Sequence, residues 1–584
     1  MRLPNPESRF WKQSNNGETP WDANVVGTFN ADTTTRPGKI SLASRLKQVW
    51  NTTDNANLST VFSFLFYDEE YWGFSRRTYR TDTSKGYSPL YWRQDTSTDA
   101  PSPSDPLSDA VVFDNGIVVS LSTSLSRYVT SWTPSWQSIS LTNNVAHPLE
   151  TITIGSPVLC IGNNNVLATV TGSGTYTYTA ARLTLDTSQR IKWIRAGTSQ
   201  AYIGTHPRRT AGKGMVYIWD GGATQPTRSI ELNSRGAISA VVHNDILYIV
   251  TAEGEIQRLD GSGFTTVAKF PVANSPYNPQ DFDSQQLNNT FIHQRGSAVR
   301  KGKILFNIKG GAHREGGVYI PHNHSGIWEY DLMTGSLTHK HSFMTTKTGT
   351  SDFGQVFAPD DTRDYAGALM TGLDCDGTLL ASNGYATTSA ASVNTATAIY
   401  IDDFKNTIAG CARVVFPQAF TKAIAGFHNN IIVKYQPMKA ATNEIVVKYR
   451  TTEKASVVAD VTWASATQFT TTTDISTAVE GEEVFVLQAN GAGDSAQIVS
   501  ISETGGTYTV TLSRSIIGVS PSGTGKVVIQ NWKELERFND MLSSTRTITA
   551  PTDAGAWLQV MVELRGTGDS PIFEEIEIKE NKAQ

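Results

Sequence analysis

The sequence is poor in cysteine and in long apolar runs, and each shortage excludes a class of protein. Its three cysteines, Cys160, Cys375 and Cys411, lie far apart. Such an odd and sparse set argues against a disulfide framework and favours folding in a reducing cytoplasm. No apolar stretch approaches the ~18–20 residues of a membrane helix, so no membrane span is predicted. Because the segment Met1–Trp11 lacks the apolar core of a secretory signal, we expect synthesis and folding in the cytoplasm.

Charge is also scarce. Asp, Glu, Lys and Arg make up only 18% of the residues, and the formal net charge is -5. The chain contains no long block of Lys and Arg. A protein that reads DNA or RNA directly needs a basic surface to attract the phosphates, so no nucleic-acid partner is predicted.

Turn-forming residues are abundant. The chain has 47 glycines and 23 prolines, and its hydrophobic fraction is a modest 39%. This profile is typical of proteins built from many short strands and polar turns. At 584 residues the chain is too long for one ordinary core, so we expect two or three domains of the all-β class.

Residues 59–416 repeat a pattern in which a turn pair precedes a short apolar strand. Asn244-Asp245 before Ile246–Val250 is one example, and Asn115-Gly116 before Ile117–Val119 is another. These pairs supply the positive φ angles of tight hairpins. The clearest unit, Ala237–Phe270, has the length of one four-stranded propeller blade. We therefore predict a β-propeller of six or seven blades, with a series of unrelated β-sandwiches as the alternative.

The two ends of the chain lack the repeated turn–strand pattern of residues 59–416. Residues 1–58 are polar and irregular, with a weak helical pattern at Ala43–Trp50, and are predicted to form an N-terminal arm or strap. Two interpretations stay open: an arm that packs on another protein, or a strap over the chain's own propeller.

The C-terminal part is predicted to be a β-sandwich, formed by residues 417–454 plus 532–584, that is interrupted by a small inserted β-barrel at 455–531. Apolar residues alternate along Ile445–Tyr449 and again along Leu558–Leu564, which is the period of half-buried strands. The intervening block is rich in Thr, Val and Gly. Helical spacing of apolar residues predicts a helix over Trp532–Leu542.

Catalytic signatures are missing: there is no Gly-x-Ser-x-Gly, Walker loop, His-Glu-x-x-His or Cys-x-x-Cys. Three local patterns each have a functional and a simpler interpretation. The histidine-rich segment could bind Zn²⁺ but is better explained as a polar loop. Asp374–Gly377 resembles the start of a calcium loop but lacks a closing carboxylate. Asp68-Glu69-Glu70 could be a sugar site but fits a solvated turn. The histidines are His313, His322, His324, His339 and His341.

No residue is therefore predicted to be catalytic, to bind a cofactor or to ligate a metal, and the chain is not expected to be an enzyme. The chain also lacks the Asp box, the motif Ser-x-Asp-x-Gly-x-x-Trp of sialidase-type propellers. This absence argues against a glycosidase.

Three C-terminal segments carry a resemblance: Glu444–Thr451, Trp557–Gly566 and Ser570–Ile578. Together they resemble the C-terminal sandwich of tailed-bacteriophage virion proteins, where it follows a propeller-like body in nozzle and tail-tip components. The resemblance implies a structural component of the virion, at a tail nozzle, tail tip or tail-attached appendage. It also implies a homo-oligomeric ring in contact with other tail proteins.

A carbohydrate-active or glycan-binding propeller is the alternative function, and contact with a host surface glycan is compatible with both. A concave aromatic cluster on one propeller face would favour glycan binding. The tryptophans available for such a cluster are Trp72, Trp92, Trp132, Trp136, Trp193 and Trp219.

Overall fold

A computed structural model describes most of the chain, and strands dominate it. The described residues are 2–3, 27–32, 39–51, 61–75, 77–82, 84, 90–101, 109–143, 146–208, 212–270, 292–308, 311–315, 318–323, 326–341, 364–371, 379–385, 398–407, 410–416, 419–420, 427–452, 454, 456–487, 493–516, 519, 521–552, 557–566 and 570–581. Within these ranges the helical structure is limited to the 3-10 turn Trp136–Ser138 and one 3-10 residue, Ser84, so the predicted all-β class is confirmed. None of the described segments forms a helix long and apolar enough to cross a membrane.

The chain folds into two compact units. One contains residues 48–309 and 360–401, and the other contains residues 1–47, 310–359 and 402–584. The division differs from the predicted segments because strand pairing gathers distant parts of the chain into each unit.

Most of the first unit consists of five complete four-stranded antiparallel sheets, each formed by consecutive strands. Their strands are β6 (Ser63–Tyr67), β7 (Glu70–Phe74), β8 (Thr78–Thr81) and β9 (Trp92–Gln94); β10 (Asp109–Val112), β11 (Ile117–Ser120), β12 (Leu125–Tyr128) and β13 (Trp132–Thr133); β14 (Leu149–Ile154), β15 (Ser156–Asn163), β16 (Val166–Thr171) and β17 (Thr177–Thr184); β18 (Gln189–Ala196), β19 (Ala201–Pro207), β20 (Met215–Trp219) and β21 (Arg228–Glu231); and β22 (Ala237–His243), β23 (Ile246–Thr251), β24 (Glu255–Asp260) and β25 (Gly263–Lys269).

Two further sheets combine strands that are not all consecutive. Their orders are β26-β27-β30-β31 and β32-β33-β34-β5. The strands are β26 (Ile292–Arg300), β27 (Lys303–Ile308), β30 (Gly326–Asp331), β31 (Leu337–His341), β32 (Asp364–Thr371), β33 (Leu379–Tyr385), β34 (Ala398–Thr407) and β5 (Ser44–Asn51). The hairpin β28 (Gly311–Glu315) and β29 (Val318–Asn323) lies between β27 and β30 in the chain.

The first strands of these seven sheets form a closed ring. Each contacts the next in the order β6, β10, β14, β18, β22, β26 and β32, and β32 contacts β6 again. Apolar cores fill the space between neighbouring sheets, and one of them joins the seventh sheet to the first through Ile399 and Tyr79. This arrangement is that of a β-propeller, in which radial sheets surround a central axis. The first unit is therefore propeller-like, as predicted, with seven first strands in its ring among the described residues.

Two sheets of the second unit share one apolar core. The four-stranded sheet has the order β1-β48-β37-β46, and the six-stranded sheet has the order β2-β35-β47-β38-β45 with β36 paired to β47. Their strands are β1 (Arg2–Leu3), β2 (Gly27–Phe29), β35 (Gly410–Val415), β36 (Ala419–Phe420), β37 (Phe427–Tyr435), β38 (Glu444–Arg450), β45 (Lys533–Phe538), β46 (Thr545–Thr549), β47 (Trp557–Gly566) and β48 (Phe573–Asn581). The short strands β3 (Ala31–Asp32) and β4 (Ser41–Leu42) pair with each other.

A closed six-stranded barrel lies between β38 and β45 in the chain, as predicted. Its order is β39-β40-β43-β42-β41-β44. The strands are β39 (Val457–Ser465), β40 (Gln468–Thr471), β41 (Glu483–Leu487), β42 (Gly493–Thr504), β43 (Thr507–Leu512) and β44 (Thr524–Gln530). Because β38 and β45 are paired, with Tyr449 opposite Lys533, the chain leaves the six-stranded sheet and returns to it at one place.

Both predicted helical segments are strands, so these two predictions were wrong. Ala43–Trp50 lies largely in β5, and Trp532–Leu542 contains β45. Hydrogen bonding to neighbouring strands overrides a weak local preference.

The N-terminal residues that are described, within the predicted arm or strap of residues 1–58, pair inside this chain. β1 pairs with β48, and β2 pairs with β35. The predicted propeller segment 59–416 also includes β35, which pairs with β47 in the six-stranded sheet.

Candidate functional site

The centre of the seven-sheet ring, here called the hub, contains charged side chains from its first strands. Arg295 on β26 makes two parallel hydrogen bonds to Asp109 on β10, from Nε to Oδ1 at 3.0 Å and from Nη2 to Oδ2 at 3.1 Å. Its Nη1 donates to Oε2 of Glu150 on β14 at 3.1 Å. Since β26 is not a neighbour of β10 or β14, the Arg295 side chain crosses the ring and ties opposite sheets together.

Arg195 on β18 makes the second set of hub contacts. Its Nε donates to the carbonyl oxygen of Ala240 at 2.8 Å, and its Nη2 donates to the carbonyl oxygen of Gln294. Nη1 lies 3.8 Å from Oε2 of Glu150. Two arginines therefore share the two hub carboxylates, and the guanidinium groups also bind backbone that faces the centre. Paired in this way, the four side chains have a structural role, because their contacts hold the sheets of the ring together at its centre.

Lys192 differs from these arginines. The β18–β19 ladder shifts register between Ile191 and Trp193, so Lys192 is the extra residue of a β-bulge. A bulge turns a side chain away from the direction that regular pairing would give it. The side chain is half-buried, and burial lowers its pKa to about 8.

Two histidines are affected by this lysine. Burial lowers the pKa of His206 to about 3, and the neighbouring charges of Lys192 and Arg190 lower it further. Burial likewise lowers the pKa of His293 to about 3, with Lys192, Arg295 and Arg195 acting in the same direction. Both imidazoles are therefore neutral at physiological pH, beside an unusually high density of positive charge.

A second charged cluster, here called the junction, joins the six-stranded sheet to the barrel. Lys448 on β38 donates from Nζ to Oε2 of Glu563 on β47 at 2.9 Å, and also to Glu483 on β41. Arg413 on β35 bridges the same two carboxylates, at 2.6 Å to Glu483 and 2.8 Å to Glu563. Arg565 on β47 reaches Glu563 at 2.5 Å.

The barrel supplies further partners for the junction. Arg565 Nη1 lies 2.6 Å from Oδ1 of Asp494 on β42, and Arg514 also bonds this carboxylate. The guanidinium of Arg413 stacks 3.7 Å over the ring of Phe485. Lys448, Glu483 and Glu563 have fully buried side chains.

Electrostatics at the junction favour the ionised form of Glu563. Burial alone would raise the pKa of Glu563, but the charges of Arg565, Lys448 and Arg413 outweigh it and hold the pKa well below its usual range. Burial raises the pKa of the nearby Cys411 thiol to about 12, which leaves it protonated and unreactive. With its charges bonded to each other, the junction fastens the barrel to the sheet.

Neither cluster was predicted from the sequence. Arg295 and Asp109 are 186 positions apart, and no motif links them. Glu563 and Arg565 alternate with buried apolar residues of β47, so they look like the solvent-facing residues of a half-buried strand. The barrel covers that face instead.

The histidine-rich segment is only partly described. His324 lies outside the described residues, and His313 and His322 are described by their backbone, on β28 and β29. His339 Nδ1 accepts a hydrogen bond from the Asn30 backbone N–H at 3.2 Å, and His341 Nε2 lies 3.9 Å from Asp402 Oδ2. Both described side chains are buried in structural contacts. In the portion of the chain with described side chains, no group of three or more His, Cys, Asp or Glu is arranged to hold a metal ion.

The acidic run lies at a hairpin turn, as the simpler interpretation predicted. Asp68 and Glu69 have φ values of 50° and 61° in the tight turn between β6 and β7. Glu70 is buried and pairs with Arg80 at 3.2 Å and with Arg93 at 3.7 Å. The three carboxylates therefore do not form one acid–base site.

The calcium-like segment 374–377 and Cys375 lie outside the described residues. Cys160 and Cys411 are buried thiols that form no disulfide.

The six tryptophans that could have formed a glycan-binding cluster are all buried. None of them exceeds 5% exposure, because they pack within or between sheets. Their ring faces are thus unavailable for stacking on a sugar. They are Trp72, Trp92, Trp132, Trp136, Trp193 and Trp219.

Comparison with known proteins gives similarity of structure but no match of sequence. No family model matches the chain, and no curated protein matches it. Among solved structures, the Neurospora crassa Pan2 WD40 domain is 10% identical with a TM-score of 0.37, over 62% of this chain and 96% of that one. The Myceliophteria thermophila Cps50 (Swd1) β-propeller domain is 8% identical with a TM-score of 0.37, over 62% and 99%. The computationally designed Ika8 protein is 9% identical with a TM-score of 0.34, over 62% and 99%. Likenesses this weak carry no argument about activity, ligands or partners.

Proposed function

We propose that this chain is a non-catalytic structural component of a tailed-phage virion, acting at a tail nozzle, tail tip or tail-attached appendage through protein–protein assembly. In this proposal the two sheets that share one core in the second unit form the C-terminal β-sandwich of that class. Copies assemble into a homo-oligomeric ring around a symmetry axis and contact other tail proteins.

The observation that carries the proposal is the junction. Three buried cations and three buried carboxylates lie between the barrel and the six-stranded sheet, and the partly exposed Arg514 binds one of these carboxylates. Ion pairs of this kind fix geometry more than they add stability, because burying the charges is costly. A barrel held in one orientation on its sheet suits a protein that must present fixed surfaces to its neighbours.

An exposed apolar turn supports the assembly role. Leu542 is 96% exposed and Met541 is 50% exposed, between β45 and β46. The turn is held in shape because Asp540 Oδ1 accepts hydrogen bonds from the backbone N–H groups of Leu542 and Ser543, at 3.0 and 2.8 Å. Apolar side chains presented on an ordered turn fit a contact with a neighbouring subunit.

Mass spectrometry of purified particles tests the proposal directly. Intact virions produced from the genome that encodes this chain should contain it in stoichiometric amount, and electron microscopy should place its copies around the tail axis. Particles that lack the chain altogether would refute the proposal, whatever the protein's fold.

A further inference from the structure

Strand β46 forms one edge of the four-stranded sheet of the second unit. Among the described residues it pairs with β37 alone, and its other side has no strand partner. Its side chains are exposed except that of Ile548, which packs in the core that the two sheets share. A free edge presents unpaired backbone groups, and these can pair with a strand of another chain.

The hydrogen bonds of the β37–β46 ladder show which backbone groups of β46 point away from the sheet. At one end the Tyr435 N–H donates to the carbonyl oxygen of Ser544 at 3.0 Å. At the other end the Ala550 N–H donates to the carbonyl oxygen of Asn429 at 2.7 Å. Because bonded pairs alternate along an antiparallel ladder, the even-numbered residues of β46 bond β37, and the odd-numbered residues direct their N–H and C=O groups outward. The odd-numbered residues are Thr545, Thr547 and Thr549.

Two of these threonines have open backbone groups. At Thr545 the Ser543 hydroxyl fills both positions, since it accepts from the Thr545 N–H at 3.2 Å and donates to the Thr545 carbonyl oxygen at 3.0 Å. Within the described part of the chain, the outward groups of Thr547 and Thr549 have no such partner. Pro551, the next odd-numbered residue, has no N–H. The edge is therefore open at two residues and closed on either side of them.

The edge strand of the six-stranded sheet, β45, has a different composition. Charged side chains on an edge oppose pairing with another chain, and four of the six residues of β45 are charged. In β46 the one charged residue is Arg546, whose Nε donates to Glu536 Oε1 at 2.6 Å. The three threonines of β46 are β-branched and favour strand pairing. Of the two edge strands joined by the turn 539–544, β46 is the one suited to pairing.

We propose that β46 pairs antiparallel with β46 of a second copy of this chain, about a two-fold axis at Ile548. In this register Thr547 of each copy lies opposite Thr549 of the other, and their open groups form four hydrogen bonds. Thr545, whose groups are already bonded, lies opposite Pro551, so no N–H is left without an acceptor there. The two four-stranded sheets then become one continuous sheet. This contact goes beyond the proposed function, because it needs two copies of this chain and no other tail protein.

Sedimentation velocity of the full chain tests the contact. The wild type should dimerise reversibly as its concentration rises. Thr547→Pro removes one outward N–H from each copy, and therefore two of the four hydrogen bonds, so dimerisation should weaken at least about tenfold. Thr547→Val keeps the backbone groups and a β-branched side chain, and it should dimerise as the wild type does. Because the Thr547 N–H points away from β37, Thr547→Pro removes no ladder bond within the chain, and its thermal midpoint should stay near that of the wild type.

Disulfide trapping tests the register, in chains that also carry Cys375→Ser. Cys160 and Cys411 are buried and can stay. When Thr547→Cys and Thr549→Cys are mixed in equal amounts, the proposed register places the two new cysteines opposite each other. Their Cα atoms are then about 5.5 Å apart, which a disulfide can span. Each variant alone is the matched control, because its own cysteines lie on a diagonal at about 7–8 Å. The oxidised mixture should form a linked dimer, and each variant alone should form much less.

A wild type that stays monomeric at submillimolar concentration would overturn the proposal, and so would equal dimerisation by Thr547→Pro. A mixture that cross-links no faster than its two components would also refute the pairing. None of these results depends on whether virions contain the chain, so this contact and the proposed function can fail separately.

Discussion

Replacing Glu563 with glutamine tests the reasoning about the junction most sharply. The change keeps the shape of the side chain and removes one negative charge that lies 2.5–2.9 Å from Arg565, Arg413 and Lys448. Removing one member of a buried ion pair costs about 3–5 kcal/mol, because the remaining charges stay buried without compensation. In Glu563→Gln three cations lose a shared partner, so we expect a loss in this range.

The pH dependence of the loss follows from the lowered pKa of Glu563. A carboxyl whose pKa is lower in the folded than in the unfolded state stabilises the fold at every pH above its unfolded pKa. That contribution disappears as the pH falls through the folded value. The difference between wild type and Glu563→Gln should therefore be constant near neutral pH and shrink in strong acid.

Hydrogen exchange measured by mass spectrometry can locate the effect. A loss of about 3–5 kcal/mol corresponds to about two to four orders of magnitude in the protection of β47 amides. Glu444→Gln is the matched control, since Glu444 pairs with Arg537 at 2.7 Å in the same six-stranded sheet but is about one-third exposed. It should cost less than about 1 kcal/mol. Equal protection of β47 in the two variants would refute the account of the junction.

Three further predictions concern single positions. Gly204→Ala should destabilise the fourth sheet by about 1–3 kcal/mol or more in chemical denaturation, because its Cβ would lie 2.0 Å from Trp193 Cε2. Lys192→Met should stabilise the fold by about 1–3 kcal/mol below pH 8, where the wild-type lysine is charged in both the folded and the unfolded state. This gain in stability should fade toward pH 10.5, because the wild-type lysine becomes neutral in both states. Leu542→Ser should leave the thermal midpoint unchanged yet reduce incorporation into particles.

Each of these has a direct control. Gly263→Ala adds a Cβ with nothing within 4 Å and should be neutral. If it destabilised as much as Gly204→Ala, crowding against Trp193 would not be the cause. A Lys192→Met gain that persisted above pH 10.5 would contradict the charge argument. Met333→Ser, at another exposed apolar position, should not affect incorporation.

Local turn chemistry predicted the propeller-like unit well. Asn244 and Asp245 have φ values of 49° and 63°, as expected for the tight turn between β22 and β23. The unit predicted over Ala237–Phe270 is the sheet β22-β23-β24-β25. A tight turn and a sheet of consecutive strands are formed by residues that are close in sequence. Local sequence patterns are therefore sufficient to predict them.

Helical spacing failed as a guide near residue 532. Trp532, Leu535, Phe538 and Leu542 are spaced as one face of a helix, which would bury Leu542. In the structure β45 pairs with β38, and Leu542 lies at an exposed turn. The spacing arose by chance in a segment whose structure is decided by a strand far away in sequence.

The charged clusters could not be predicted for a related reason. Arg295 meets Asp109 only because seven sheets close into a ring. Glu563 is buried only because the inserted barrel covers the second face of β47. In each case the charged side chain is buried by another sheet or by the barrel. The alternation of residues along its own strand gives no information about that covering element.

The position of β5 in the seventh sheet sets the order of events during synthesis. β5 ends at Asn51, whereas its neighbour β34 begins at Ala398, about 350 residues later. At roughly 5–20 residues per second the ribosome needs roughly 20–70 s to make the intervening chain. For that time the nascent β5 has unpaired backbone groups of the kind that join wrong strands. Closing the ring is therefore a late step, and slow translation or a shortage of chaperones should lower the yield of folded protein more than its final stability.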